Sequence, residues 1–316
     1  MQVSHYFKRL REGAIKIVLG DCSPLILQYF KDRKFDVRNV RDFDFSKEND
    51  VFVVSNSRQV SDYMNNVVFG NHSCHCAHIN PWKLHCNSDE VLIYTLDRIL
   101  LCDVETALTG RQCLQDIIRN KLRSHLEICS PETTLQAKFV GPVEITNTDD
   151  IMCVGWNYSV AEFLEIGILN FGENQETGFV VSGEMDFDGI VSFGSRKPGE
   201  ARDPFVRELI STMCASSRKR ITVQENAIVS MSLDGTDYTE LLLRCFGTTI
   251  GDLDLLEETK LKEIAFGCNR IVNSQVDWSK NALINEGVYG FHLGFGLADR
   301  VTHIDFVRQG DYKLSW

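Results

Sequence analysis

Two histidines and two carboxylates near the C-terminal end have the types and spacing for metal chemistry. They are Glu263 in KEIAFGCN, His292 in EGVYGFHLGFG, and His303 with Asp305 in THIDFV. Each sits in an apolar, glycine-rich run that reads as a strand. Buried charge is costly unless it is paired or bound to a metal, and His with Asp or Glu is the donor set of catalytic zinc, manganese or non-haem iron. Of the eight histidines, only these two lie beyond residue 125. On a strand, His303 and Asp305 at i and i+2 share a face, so both can reach one ion. His292 would come from a neighbouring strand, where Gly294 and Gly296 permit close backbone approach. The competing reading is a structural His–Asp hydrogen bond beside an unrelated surface histidine, and spacing alone leaves both open.

A second run, HSCHCAHINPWKLHC (72–86), holds His72, Cys74, His75, Cys76, His78, His85 and Cys86. It lacks the paired CxxC knuckles of a zinc finger. A solvent-exposed loop rich in His and Cys is the expectation. Residues 21–24 follow the first strand without a glycine-rich phosphate loop and read as a helix start. In SRKPGEARDP (195–204), Ser195, Arg196, Lys197 and Arg202 read as a loop able to offer a cation to a substrate carboxylate. Glu286 reads as a solvated turn residue and Cys268 as a small buried one.

The elements that must position these residues follow from length and pattern. At 316 residues the chain has room for two domains, each with its own core. Thirty-three basic against 44 acidic residues give a formal charge of −11. That argues against nucleic acid or an anionic membrane as main partner, since phosphate recognition needs a basic surface. The N-terminus sets basic residues before an apolar run, as an export signal does, but Lys16 interrupts the run and no small-x-small site follows. No stretch is apolar enough for a membrane span. Eleven cysteines, an odd and unpatterned set, read as reduced thiols, and the cytoplasm is the expected compartment.

Strand patterns at 14–19, 36–40, 50–56 and 90–96 alternate with helix patterns in LILQYFKDRK and SRQVSDYMNNVV, and a helix over 105–127 closes the segment. This predicts an N-terminal α/β domain with a small parallel sheet over 1–134. From 135 to 316, short alternating runs separated by Gly, Asn and Asp predict a C-terminal domain with a mixed or antiparallel sheet. Helices interrupt it, one from Asp203-Pro204 and one over 238–246. The expected fold class is α/β plus α+β, with the metal in the second domain.

VSGEMDFDGIV (181–191), LKEIAFGCNRIV (261–272), NEGVYGFHLGFG (285–296) and THIDFV (302–307) resemble, in this order, the signature segments of the aminopeptidase T family of metallopeptidases. A related fold serves 2,5-dihydroxypyridine dioxygenase. The resemblance covers the C-terminal domain; the N-terminal half shares only α/β character. It implies that Glu184, Glu263, His292, His303 and Asp305 bind one or two divalent ions (zinc, cobalt or manganese), with Glu263 also the candidate general base. It further implies a peptide or small-molecule substrate and a homodimer. Two departures stand out. His303 follows His292 by only eleven positions, where the family has a long excursion, and the corresponding stretch, LADR, has no tyrosine.

The reaction expected from this set is metal-assisted hydrolysis of a peptide or amide. If only His292, His303 and Asp305 bind metal, the set is instead a two-His-one-carboxylate triad suited to Fe(II) and oxygen chemistry. A third possibility keeps the fold for binding a peptide without turnover.

Overall fold

The computed structural model of the protein describes residues 1–123, 125–146, 149–170, 178–194, 203–249, 259–270, 276–296 and 302–316. Helix α1 (Val3–Arg11) buries Val3, Tyr6, Phe7 and Leu10, the one-faced stripe of an amphipathic helix. Then come β1 (Lys16–Gly20), α2 (Pro24–Asp32), β2 (Val37–Asn39), β3 (Asp50–Ser55), α3 (Arg58–Val68), β4 (His75–Ile79), α4 (Asp89–Leu101) and α5 (Val104–Lys121). The later strands begin with β5 (His125–Ser130), β6 (Thr133–Phe139), β7 (Glu144–Ile145), β8 (Asn157–Ser159), β9 (Glu165–Leu169), β10 (Phe179–Asp186) and β11 (Gly189–Gly194). After α6 (Asp203–Ala215) follow β12 (Lys219–Gln224), β13 (Ala227–Leu233), β14 (Thr236–Asp237), α7 (Thr239–Phe246), β15 (Leu261–Gly267), β16 (Gly290–Phe295), β17 (Thr302–Gln309) and β18 (Lys313–Ser315).

These strands form a parallel sheet of order β2-β1-β3-β4-β8 and two antiparallel sheets, β14-β13-β12-β10-β6-β5-β18 and β11-β17-β16-β15-β9-β7. The fold is the expected α/β plus α+β. The parallel sheet is covered on both faces, so its central strands read as continuous apolar runs. Val18, Val51, Val53 and Cys76 pack on Val60, Met64 and Val68 of α3. Ile17, Leu19, Phe52 and Val54 pack on the other side with Tyr6, Phe30, Leu92 and Leu96. The two antiparallel sheets share a third core with α6 and α7, in which Met185, Ile221 and Leu135 meet Phe266, Leu293 and Phe306. The parallel sheet takes its fifth strand, β8, from well past residue 134. No helix among the described residues is long and apolar enough to cross a membrane.

Three local expectations are corrected. Residues 90–96 belong to helix α4, because Ser88 caps it by accepting from the Val91 amide and Val91, Leu92, Thr95, Leu96 and Ile99 make one buried face. A short apolar run does not by itself distinguish strand from helix. The helix expected to reach 127 ends at Lys121, and β5 starts at His125. The His- and Cys-rich run is no exposed loop: residues 75–79 are strand β4, paired on both sides.

Candidate metal centre

Alternation along the six-stranded sheet builds the site. Ile264, Phe266, Phe291, Leu293, Phe295, Ile304 and Phe306 enter the shared core. Glu263, His292, His303 and Asp305, at the intervening positions, therefore project from the opposite face, with Glu165 and Gly167 of β9. Register aligns them. Gly294 is paired with Glu263 on one side and Asp305 on the other, while His292 is paired with Ala265 and Val307. A register shift between Leu261 and Glu263 marks a local irregularity in β15 beside the site.

Ligand atoms of Glu263, His292 and Asp305 all lie within 4.8 Å of one another. His292 Nε2 is 3.9 Å from Asp305 Oδ1 and 3.8 Å from Glu165 Oε2. His303 Nε2 donates to Asp305 Oδ1 at 2.9 Å and its Nδ1 to the Gly296 carbonyl at 2.8 Å. Both ring nitrogens thus face acceptors. The ring also packs against Phe193, with centroids 4.8 Å apart, and Glu263 Oε2 is 4.0 Å from Nε2.

Sequence reading missed two acids here. Glu286 is buried, not solvated, and with Glu165 it lines the same pocket as Glu263, His292 and Asp305, a cavity of about 380 Å³. The pocket opens between the six-stranded sheet and the C-terminal end of β4, which adds His78 and Asn80. The signal for Glu165 was an acid alternating with Ile166 and Ile168. For Glu286 it was a carboxylate beside the glycine-rich strand of His292.

Burial drives the electrostatics. It raises the Glu263 carboxyl to about 7, helped by Asp305 and opposed by His303. Burial, then the neighbouring acids, pushes Glu165 and Glu286 well above the ordinary carboxylate range. Burial opposes charge on His303, but Asp305, Glu263 and the Gly296 carbonyl outweigh it and lift the imidazole to about 9. For Asp305 burial is outweighed by His303 and His292, and its carboxyl is held low. Burial lowers His292, favouring the neutral form that binds metals.

Glu184 is not brought to this group. On β10 it lies on the face opposite Met185, half-exposed and 2.8 Å from Arg220, which also holds Asp186. Nor does the 72–86 run gather as a site. His75 bonds Asp50, His78 bonds Asn157 and His85 bonds Asp203, while Cys74 and Cys76 join the core under α3. A strand sends alternate residues to opposite faces, which disperses such a run. Cys268 is buried as expected. Residues 195–202 and the LADR stretch lie outside the described residues.

The donors fit a divalent cation. Four carboxylates face two imidazoles, and Glu165 Oε2 and Glu286 Oε1 are buried without a hydrogen-bond partner among the described residues. Such orphaned acceptors are costly, and a cation would satisfy them. The triad of one imidazole and two carboxylates is compatible with a divalent metal.

The sequence model of a family described as crocagin biosynthetic protein CgnE/B matches residues 13–312. That is a different family from the one the C-terminal motifs resemble. No curated protein matches. Among solved structures, wild-type AmpT from Thermus thermophilus aligns over 98% of this chain and 94% of its own, with a TM-score of 0.47 and 11% identity.

Proposed function

The chain belongs to the crocagin biosynthetic protein CgnE/B family, and from that premise we propose that its pocket is a metal-dependent hydrolytic site for a peptide or amide. What supports this reading is that Glu263, His292 and Asp305 come within reach of one ion in a pocket also lined by Glu165 and Glu286, more acid than a three-ligand site needs. Glu263, His292 and Asp305 would hold a zinc, cobalt or manganese ion. A bound ion of this kind supplies Lewis acidity and makes water acidic enough to ionise near neutral pH.

The chain's own residues do the rest. His303, clamped between Asp305 and the Gly296 carbonyl, orients the Asp305 carboxylate. Glu263, expected as ligand and base, is here kept as ligand. Glu165, 3.8 Å from His292 and with Oε2 free of hydrogen bonds among the described residues, takes the proton-transfer role. Zinc analysis with turnover of a peptide panel tests this division. Glu165→Gln should keep the metal and lose at least about a hundredfold in rate, whereas Glu263→Gln should lose the metal itself. Metal-free protein that takes up no zinc, cobalt or manganese would sink the reading.

An Fe(II) triad of two histidines and one carboxylate would need His303, which is outside the group of Glu263, His292 and Asp305 whose ligand atoms converge. The hydrolytic reading is therefore preferred. One further observation favours a second reading: the family's description names a biosynthetic protein, consistent with peptide binding without turnover. Tight peptide binding by zinc-loaded protein with no product by mass spectrometry would select it.

A further inference from the structure

The pocket has two unlike walls. On the six-stranded sheet it is acidic, and Glu162 adds a fifth carboxylate. The wall at the end of the parallel sheet carries Lys83, among the described residues the one lysine or arginine lining the pocket. Among the described residues the Lys83 ammonium has no ion pair or hydrogen bond; it lies near the Trp82 ring, 5.7 Å from its centroid.

Its backbone is fixed relative to the ligands. The next residue, Leu84, bridges to Phe193 of β11, the His85 amide donates to the Ser192 carbonyl at 3.0 Å, and Asn281 donates to both the His85 and Ser192 carbonyls. β11 is in turn paired with β17, which carries His303 and Asp305. The lysine is thus sewn to the sheet that bears the candidate ligands.

Beside it, His78 is oriented by a chain of hydrogen bonds. Its Nδ1 donates to Asn157 Oδ1 at 2.9 Å, an oxygen that also accepts from Cys76 Sγ, while Asn157 Nδ2 donates to Asn65. Burial holds the ring neutral, its pKa down at about 4. Nε2 is then an acceptor, able to receive an N–H.

We infer that this wall is a recognition site for a free carboxylate, with Lys83 as its cation and His78 as an acceptor for a neighbouring N–H, so that the substrate is a short peptide whose terminal carboxylate lies within a residue or two of the bond attacked. The inference rests on the pocket being the substrate site. Its volume of about 380 Å³ is near the lower end of ligand pockets, about 300 Å³, which suits a ligand of a few residues. Charge selects between anions. Among the described residues five carboxyl groups surround a single lysine, a balance that disfavours a doubly charged phosphate, whereas a peptide brings an ammonium along with its single carboxylate.

The test measures binding without turnover. Zinc-loaded protein is titrated calorimetrically with the uncleavable hydroxyethylene isostere of leucylleucine, once as free acid and once as carboxamide. The wild type should bind the acid at least about tenfold more tightly. Lys83→Met should remove the preference by weakening the acid alone, and Lys83→Arg should keep it; zinc content and melting temperature show that each variant is folded. Equal binding of acid and amide by the wild type, binding of neither, or a preference that survives Lys83→Met overturns the inference. A preference in a protein that never cleaves leucylleucine leaves it standing and removes the hydrolytic reading; cleavage without a preference does the reverse.

Discussion

Glu263 and Asp305 meet across a residue that has no side chain. Gly294 is the register partner of both, and a Cβ there would lie 2.7 Å from Asp305 Oδ1 and 2.7 Å from His303 Nε2. Gly167 leaves the same kind of space on β9, where a Cβ would lie 2.5 Å from Glu263 Oε1. The floor of the site is bare backbone. Gly294→Ala should therefore push Asp305 and His303 apart, weaken zinc binding at least about tenfold and destabilise the fold by about 1–3 kcal/mol. Calorimetric zinc titration and urea unfolding measure both, and a variant with unchanged zinc affinity would contradict the close packing.

Metal retention should separate the acids by position. Glu263→Gln, His292→Ala and Asp305→Asn should each lower zinc affinity more than about a hundredfold, beyond the usual effect of a supporting residue. Glu184→Gln should leave it unchanged, since that carboxylate pairs with Arg220 on another sheet. Loss of zinc on changing Glu184 would show that the ligand set is drawn wrongly.

Raising the pH should destabilise the metal-free protein between about pH 7 and 9. His303, lifted to about 9 by its acidic neighbours, contributes stability that is complete below its unfolded value and is lost as pH rises through 9. Glu165 and Glu286, raised by burial, bind more protons folded than unfolded and act in the same direction. His292 and His78 are lowered, so their opposite effect is confined to pH below the unfolded histidine value. Zinc should reverse the slope, because binding displaces protons from the ligands. Melting temperatures from pH 7 to 9, with EDTA and with zinc, test this; a flat or rising EDTA curve would refute it.

Asn281 is buried, accepting from the Ser192 amide and donating to the Ser192 and His85 carbonyls. Removing it with Asn281→Ala strands buried backbone groups and should cost about 2–4 kcal/mol. A change under 1 kcal/mol in denaturant unfolding, on the order of a single exposed hydrogen bond, would mean that water replaces it there.

The strands carrying the candidate ligands were legible where alternation was intact: His292 falls between Phe291 and Leu293 and Asp305 between Ile304 and Phe306, apolar residues that need a core. The same rule failed at 90–96, where an apolar run fitted both periods and the Ser88 cap decided for helix. Motif order also drew in Glu184, whose strand joined the other antiparallel sheet.

Sequence by itself thus determined which side chains leave the core on β16 and β17, because side-chain direction along a regular strand depends on parity; on β15 the register shift between Leu261 and Glu263 breaks that parity. Tertiary structure decided which of them share a site. Register between strands distant in sequence placed Glu263 and Asp305 on either side of Gly294 and laid the β9 acid Glu165 beside His292. The packing of the parallel sheet's C-terminal end against that face enclosed Glu286 and supplied Lys83. Neither pairing register nor the facing of two sheets is encoded in local periodicity; both are set by which contacts bury the most surface across the whole chain.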